Sequence, residues 1–237
     1  LATACAAPAT APDPVLQTVA EGVWLLPGRF PRDRQPDGNS LVLQGREGLI
    51  VVDSGRHEHH SQALLDFAAR RGQRLAALIN THWHLDHLGG NARLRTAMPE
   101  LAVIASPTTT RVIQQRYDGF ARDLEAMLRG ATTDADTREM IRIDQALMAH
   151  GMALAPTQPF DGAARSMQVA GRELTLGHED NAVSGGDLWI LDRANALLVV
   201  GDLVTLPVPF LDTACPQGWS EALARIDALP FDRLVPG

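Results

Sequence analysis

The chain has 237 residues, 45% hydrophobic and 21% charged, with a net charge of −7 and a pI near 5.6. That length holds one large domain or two small ones with a sizeable core. The acidic balance excludes the basic stripe a nucleic-acid groove depends on, and no apolar run approaches the roughly 18 residues of a membrane span.

The first residue is Leu1, not Met, and residues 1–14 are a leader rich in Ala, Thr and Pro. Ala2-Thr3-Ala4 fits the small-x-small end of a secretory signal, and Cys5 just after it resembles the acceptor of a bacterial lipoprotein. The expectation is a periplasmic or secreted protein, with lipid attachment at Cys5 as a further option. Cys5 and Cys215 are the only cysteines, too few for a disulfide framework.

From Val15 the chain reads as a single domain, 15–237. Val15 to Pro27 predicts one or two short strands. Gly28 to Gly38, rich in Arg, Pro, Asp and Gly with Phe30 as its one aromatic, predicts a loop able to close over a site. Asn39–Gln44 and Gly48–Asp53 predict two strands joined by a tight turn, the second ending in Asp53-Ser54-Gly55. A helix over about Ser61–Arg71 follows, stopped by Gly72. His57, Glu58, His59 and His60 before it read as a solvated helix start. Leu75–Ile79 predicts a buried strand, Asn91–Met98 a short helix and Leu101–Ala105 another strand.

Residues 106–151 change character. Val112, Ile113, Tyr117, Phe120, Leu124 and Met127 recur at helical spacing, as do Met140, Ile143, Leu147 and Met148, so two or three helices are inserted here. Strands return at Met167–Val169, Arg172–Leu176, Asp187–Leu191 and Ala196–Val200. A helix follows over Gln217–Leu229, and a last strand begins at Leu234-Val235. Strands then helices, twice over, predict a layered α/β sandwich.

The chemistry concentrates in Thr81-His82-Trp83-His84-Leu85-Asp86-His87-Leu88-Gly89-Gly90, directly after a strand. Alternation puts His82 and His84 on one side and Trp83 on the other, while Asp86 and His87 follow where the chain bends. One loop can thus serve two metal ions. Packing so many polar groups for stability alone would leave many to satisfy. Gly177-His178 and Gly201-Asp202 each follow a strand, so both can meet the loop at one sheet edge. His82, His84 and His178 would make a three-nitrogen face, Asp86 and His87 a second site, and Asp202 a bridge.

His82-x-His84-x-Asp86-His87, then His178, then Gly201-Asp202, resembles the metallo-β-lactamase-fold hydrolase superfamily over nearly the whole chain from Val15. Asn39 before a strand and Val51-Val52-Asp53-Ser54-Gly55 match its N-terminal half. The resemblance implies a four-layer αββα sandwich with a helical insertion. It also implies one or two zinc ions, two per chain being expected and iron an option: His82, His84 and His178 on the first, Asp86 and His87 on the second, Asp202 bridging. The family carries one more His after a turn like Val235-Pro236-Gly237, where this sequence ends. Glu179 to Val183 reads as a small insertion, leaving the roles of Asp180, Asn181 and Asp187 open.

Zinc held by neutral imidazoles lowers the pKa of bound water to about 7. The implied activity is attack of that hydroxide on the carbonyl of a small-molecule ester, thioester, lactone or lactam, with Asp86 orienting it and relaying a proton. Asp53 is the candidate for orienting a metal-bound imidazole from behind. The ligand pattern with Asp202 resembles the glyoxalase II-like and lactonase branches. The alternatives are a β-lactamase proper, an iron persulfide dioxygenase-type oxidoreductase, and a zinc-binding protein without catalysis. A di-iron electron-transfer enzyme would carry Glu in place of His84.

Overall fold

A computed structural model describes residues 15–30, 35–130, 133–206 and 209–237. The leader, with Cys5 and the export signal read from it, lies outside the described residues. No described helix is long and apolar enough to cross a membrane.

Two sheets stack face to face. The first runs in chain order: β1 (Gln17–Ala20), β2 (Val23–Leu26), β3 (Ser40–Gln44), β4 (Leu49–Val52), β5 (Leu75–Ile79), β6 (Ala102–Ala105) and β7 (Gln158–Pro159). It is antiparallel through β4 and parallel from β4 to β7. The second comprises β8 (Arg165–Val169), β9 (Arg172–Glu179), β10 (Asp187–Asp192), β11 (Leu197–Gly201) and β12 (Arg233–Pro236), in the order β12-β11-β10-β9-β8. β7 has only two residues, too few for any period, and the sequence carries no sign of it.

Alternation along each strand builds the layers. In β4, Ile50 and Val52 turn inward and join Leu41, Leu43 and Ile79, against Leu174, Leu176, Leu188 and Ile190 of the second sheet. Leu49 and Val51 turn outward, against Leu64 and Ala68 of α1 (Glu58–Arg70). β4 is therefore buried on both faces and reads as an unbroken apolar run. On the far side, Trp189, Leu191, Leu198 and Val200 pack against Ala222 and Ile226 of α6 (Pro216–Asp227). The result is the expected αββα sandwich.

The His loop contains a short helix, α2 (Leu85–Leu88), and leads into α3 (Asn91–Ala97). The insertion forms α4 (Pro107–Leu128), α5 (Ala135–Met148) and a 3-10 turn over Gly151–Leu154. Ser106 caps α4 by accepting from the Thr108 N–H at 3.1 Å, with Pro107 in the first turn, where its missing N–H costs nothing. Val112, Ile113 and Tyr117 pack this helix onto Trp83, Leu85 and Leu88. The insertion therefore rests directly on the His loop.

Candidate metal centre

Three chain segments meet at one sheet edge: the loop after β4, the His loop after β5, and Asp202 after β11. The Leu188 N–H donates to the Thr81 carbonyl at 2.7 Å, tying the two sheets together here. The turn before Asp202 needs Gly201: its φ is +50°, and a Cβ there would lie 2.5 Å from the Thr81 hydroxyl oxygen.

Five of the six expected ligands form two groups that share one residue. His82, His84 and Asp202 make the first, and Asp86, His87 and Asp202 the second, with donor atoms within 4.8 Å of one another in each. Asp202 faces both: Oδ2 lies 3.4 Å from His82 Nε2 and 3.9 Å from His84 Nδ1, while Oδ1 lies 3.2 Å from His87 Nε2. Asp86 Oδ2 approaches the same His87 nitrogen at 3.5 Å.

His87 tests whether a metal fits. Its Nε2 is buried and has no hydrogen-bond partner, despite two carboxylates close by. Its Nδ1 lies 2.8 Å from Asp53 Oδ2. A histidine held from behind by a carboxylate, with its other nitrogen free and buried, is arranged as a metal ligand. His82 Nε2 and His84 Nδ1 also face each other at 2.9 Å, as nitrogens do when converging on a cation. Three carboxylates, Asp53, Asp86 and Asp202, surround the His87 ring. The donor set of imidazoles and carboxylates fits a metal ion.

The electrostatics without metal agree. Burial alone would depress the His87 pKa, but Asp202, Asp86 and Asp53 outweigh it and raise it well above the ordinary value. Burial would raise Asp202, yet His87 and His82 hold it well below the carboxylate range. Burial, then the neighbouring His82, lowers His84.

Asp53 occupies the position behind a ligand expected of it. Its φ of +59° is rare for a non-glycine residue. Both its oxygens are used: Oδ1 accepts from the Thr81 N–H at 2.8 Å and Oδ2 from the Thr81 hydroxyl at 2.7 Å. The loop itself is anchored through the His87 carbonyl, which accepts from the Ser54 N–H at 2.7 Å and the Asn80 amide at 3.1 Å. Gly38 lies against the His87 ring, where a Cβ would come within 2.7 Å.

His178, expected on the first metal, belongs to neither group. Gly177-His178 reads as a strand end, but β9 continues to Glu179 and His178 pairs with Leu188 of β10. β10 therefore separates it from β11, and two strand spacings are about 10 Å. The His178 ring instead meets Ser106 Oγ through Nε2 at 3.2 Å and Asp180 Oδ1 through Nδ1 at 3.5 Å. This order imitates a nucleophilic triad, but Ser106 is fully buried and caps a helix. Asp187 is structural: it accepts from the N–H groups of Val183 and Ser184.

The His57–His60 cluster also departs from expectation. His57 and His60 are buried. Asp37 accepts from the backbone N–H groups of Arg56 and His57, and its Oδ2 lies 2.9 Å from His57 Nδ1. His60 Nε2 lies 2.8 Å from the Ser40 hydroxyl, and burial pushes its pKa down to about 4. The unfolded chain takes that proton near 6.5. Between these values the unfolded state binds more protons, so stability falls as pH drops from about 6.5 to about 4, by roughly 3 kcal/mol in all. Urea unfolding of the wild type and His60→Asn across this window should show a shallower pH dependence in the variant. Equal slopes would sink the assignment.

Arg56 and Asp144 carry no expectation from sequence. Arg56 pairs with Asp144 of α5 and lies 3.8 Å from Asp86 Oδ1, joining the insertion to the metal loop. Asp144 leaves one trace in the sequence: an acid between Ile141 and Met148 on the apolar stripe.

Above the centre lies a cleft of about 630 Å³. His84, Asp86 and Asp202 line its floor. Phe30, Phe120, Met148 and Phe210 line its walls.

A two-sheet αββα sandwich with His and Asp clusters at converging strand ends defines a class of metal-site proteins. The chain belongs to the metallo-beta-lactamase superfamily, whose family model matches residues 34–237. It is 26% identical over 220 residues to the lactamase-like protein adaB of Aspergillus niger, covering 92% of this chain and 60% of that protein. Shorter matches are an atrochrysone carboxyl ACP thioesterase of Aspergillus fumigatus, 31% identical over 37% of this chain and 29% of that one, and a hydroxyacylglutathione hydrolase of Gloeobacter violaceus, 46% identical over 19% and 18%. In structure it is similar to a metallo-beta-lactamase from Pontibacter korlensis, with TM-score 0.68 and 17% identity over 94% of this chain and 90% of that one.

Proposed function

We propose that the chain is a zinc-dependent hydrolase acting on the carbonyl of a small ester or thioester, with lactones and lactams as the remaining candidates. The observation that carries this reading is Asp202, whose two oxygens face two separate His/Asp groups at the floor of one cleft. The thioesterase and hydroxyacylglutathione hydrolase among the relatives support the carbonyl class.

His82, His84 and Asp202 would hold one ion, and Asp86, His87 and Asp202 the other. Zinc, when bound, polarises a carbonyl oxygen and activates water at neutral pH. Asp53 fixes the His87 ring through Nδ1, and Thr81 fixes Asp53 in turn. Asp86 Oδ1, turned to Arg56 rather than to His87, would accept the proton that the attacking water gives up as its oxygen adds to the carbonyl carbon. The apolar walls exclude bulk water, which strengthens these interactions.

The test is metal analysis joined to a panel of a neutral thioester, a glutathione thioester, an acyl lactone and a penicillin. Chelation is expected to abolish turnover and zinc to restore it, and His84→Ala should lose both metal and turnover. Full turnover after chelation would overturn the proposal.

A further inference from the structure

Resting on the hydrolase reading, we infer that the cleft takes an uncharged, apolar acyl group, so that the preferred substrates are neutral medium-chain or aromatic acyl thioesters or esters, not glutathione thioesters. The first observation is that three of the eight exposed large apolar side chains among the described residues meet at one cleft. Phe30, Leu206 and Phe210 are 65%, 73% and 51% exposed, and all three line this cleft. Large apolar side chains scattered over a surface are ordinary, but several converging on one concavity mark a binding site.

The second observation is continuity with the metal centre. The Phe210 ring stands edge-on to His84, with ring centroids 5.4 Å apart. Phe120 stacks on Trp83 at 6.3 Å. The apolar wall thus begins at a candidate ligand and runs outward through the insertion to the mouth. An acyl chain whose carbonyl sits at the centre must lie along it. A lipid surface would reach only the rim, and the net charge of −7 opposes an anionic membrane.

The third observation is charge. Asp37, Asp86, Asp144, Asp202 and Asp212 line the cleft against Arg29 and Arg56. Arg56 is engaged by Asp144 and Asp86. Asp86 and Asp202 belong to the centre, so the remaining wall carries Asp37, Asp144 and Asp212 beside Arg29 and Arg56, and an anionic tail would gain little along it. The acyl tail that fits is neutral.

The test is a series of acetyl, butyryl, octanoyl and lauroyl thioesters of N-acetylcysteamine, with lactoylglutathione beside them, on the zinc-loaded full chain. The expected kcat/KM rises at least about 100-fold from acetyl to octanoyl, given the apolar area each methylene removes from water, and octanoyl exceeds lactoylglutathione. Phe30→Ser and Phe210→Ser, both at exposed positions, each lower the octanoyl-to-acetyl ratio about tenfold. Binding of octanoyl amide against acetamide by calorimetry reads the pocket without turnover. A flat series, or lactoylglutathione as the better substrate, overturns the inference and leaves the hydrolase reading standing. Tight octanoyl amide binding, weakened by Phe210→Ser, with no thioester turned over upholds the pocket and sinks the hydrolase. Neither binding nor turnover sinks both.

Discussion

Asp202→Ala is expected to strip the centre of metal and to lower hydrolysis by at least about 100-fold, since metal Lewis acidity supplies several kcal/mol to carbonyl chemistry. The reason lies in the two oxygens of one carboxylate. Oδ2 closes the group with His82 and His84, and Oδ1 closes the group with His87. Each remaining group then has two donors: His82 with His84, and Asp86 with His87. Removal also leaves three imidazoles crowded together without the carboxylate that balances them, so affinity for both ions should fall together. Asp202→Asn keeps the shape and removes the charge, separating electrostatics from packing. Metal content by elemental analysis, read beside kcat/KM for a neutral thioester, checks the prediction. A variant that keeps two ions per chain and full turnover removes Asp202 from the centre.

Arg56→Ala should destabilise the fold by about 3–5 kcal/mol, the range for breaking a buried ion pair from one side. Arg56 and Asp144 are both at most 9% exposed, and the guanidinium also donates from Nε to the Pro36 carbonyl at 3.2 Å. Burial already pushes the Asp144 carboxyl up, and Arg56 is its main counterweight. Without Arg56 that acid would take up a proton or draw water into the interface between insertion and metal loop. Asp86 would lose the cation 3.8 Å from Oδ1, which both removes a charge that competes with a metal ion for that carboxylate and frees its side chain, so metal affinity should change as well. Urea unfolding of Arg56→Ala, Asp144→Ala and the double variant measures the coupling. A double variant as unstable as the sum of the singles would show that the pair does not interact. Zinc competition against a chelator reads the effect on the centre separately from stability.

Much of the fold and of the centre is legible in the chain's own pattern. His82, His84, Asp86 and His87 lie within six residues of one another after a strong strand signal, so their grouping is local. Asp202 follows an apolar strand, and Asp53 ends another. Placing such residues together needs only the rule that strand ends share an edge. The helical insertion is legible because two long amphipathic stretches have the same period.

His178 fails for the opposite reason. Its position depends on how far β9 pairs with β10, and pairing is a non-local property that the glycine before it conceals. The buried His57 and His60 look like surface residues in sequence, because polarity is a fair guide to exposure only where no distant partner covers them. Asp37 and Ser40, from the preceding loop and strand, do so here.

The sequence by itself determined the layers and the donor types, because hydrophobic period and ligand chemistry are properties of neighbouring residues. Only the tertiary structure decided which donors converge, which arginine binds which aspartate 88 residues away, and that Phe30, Leu206 and Phe210 turn toward one cleft. Those outcomes depend on strand order and on how the insertion seats against the His loop, where contact energies between distant segments override what each segment signals alone.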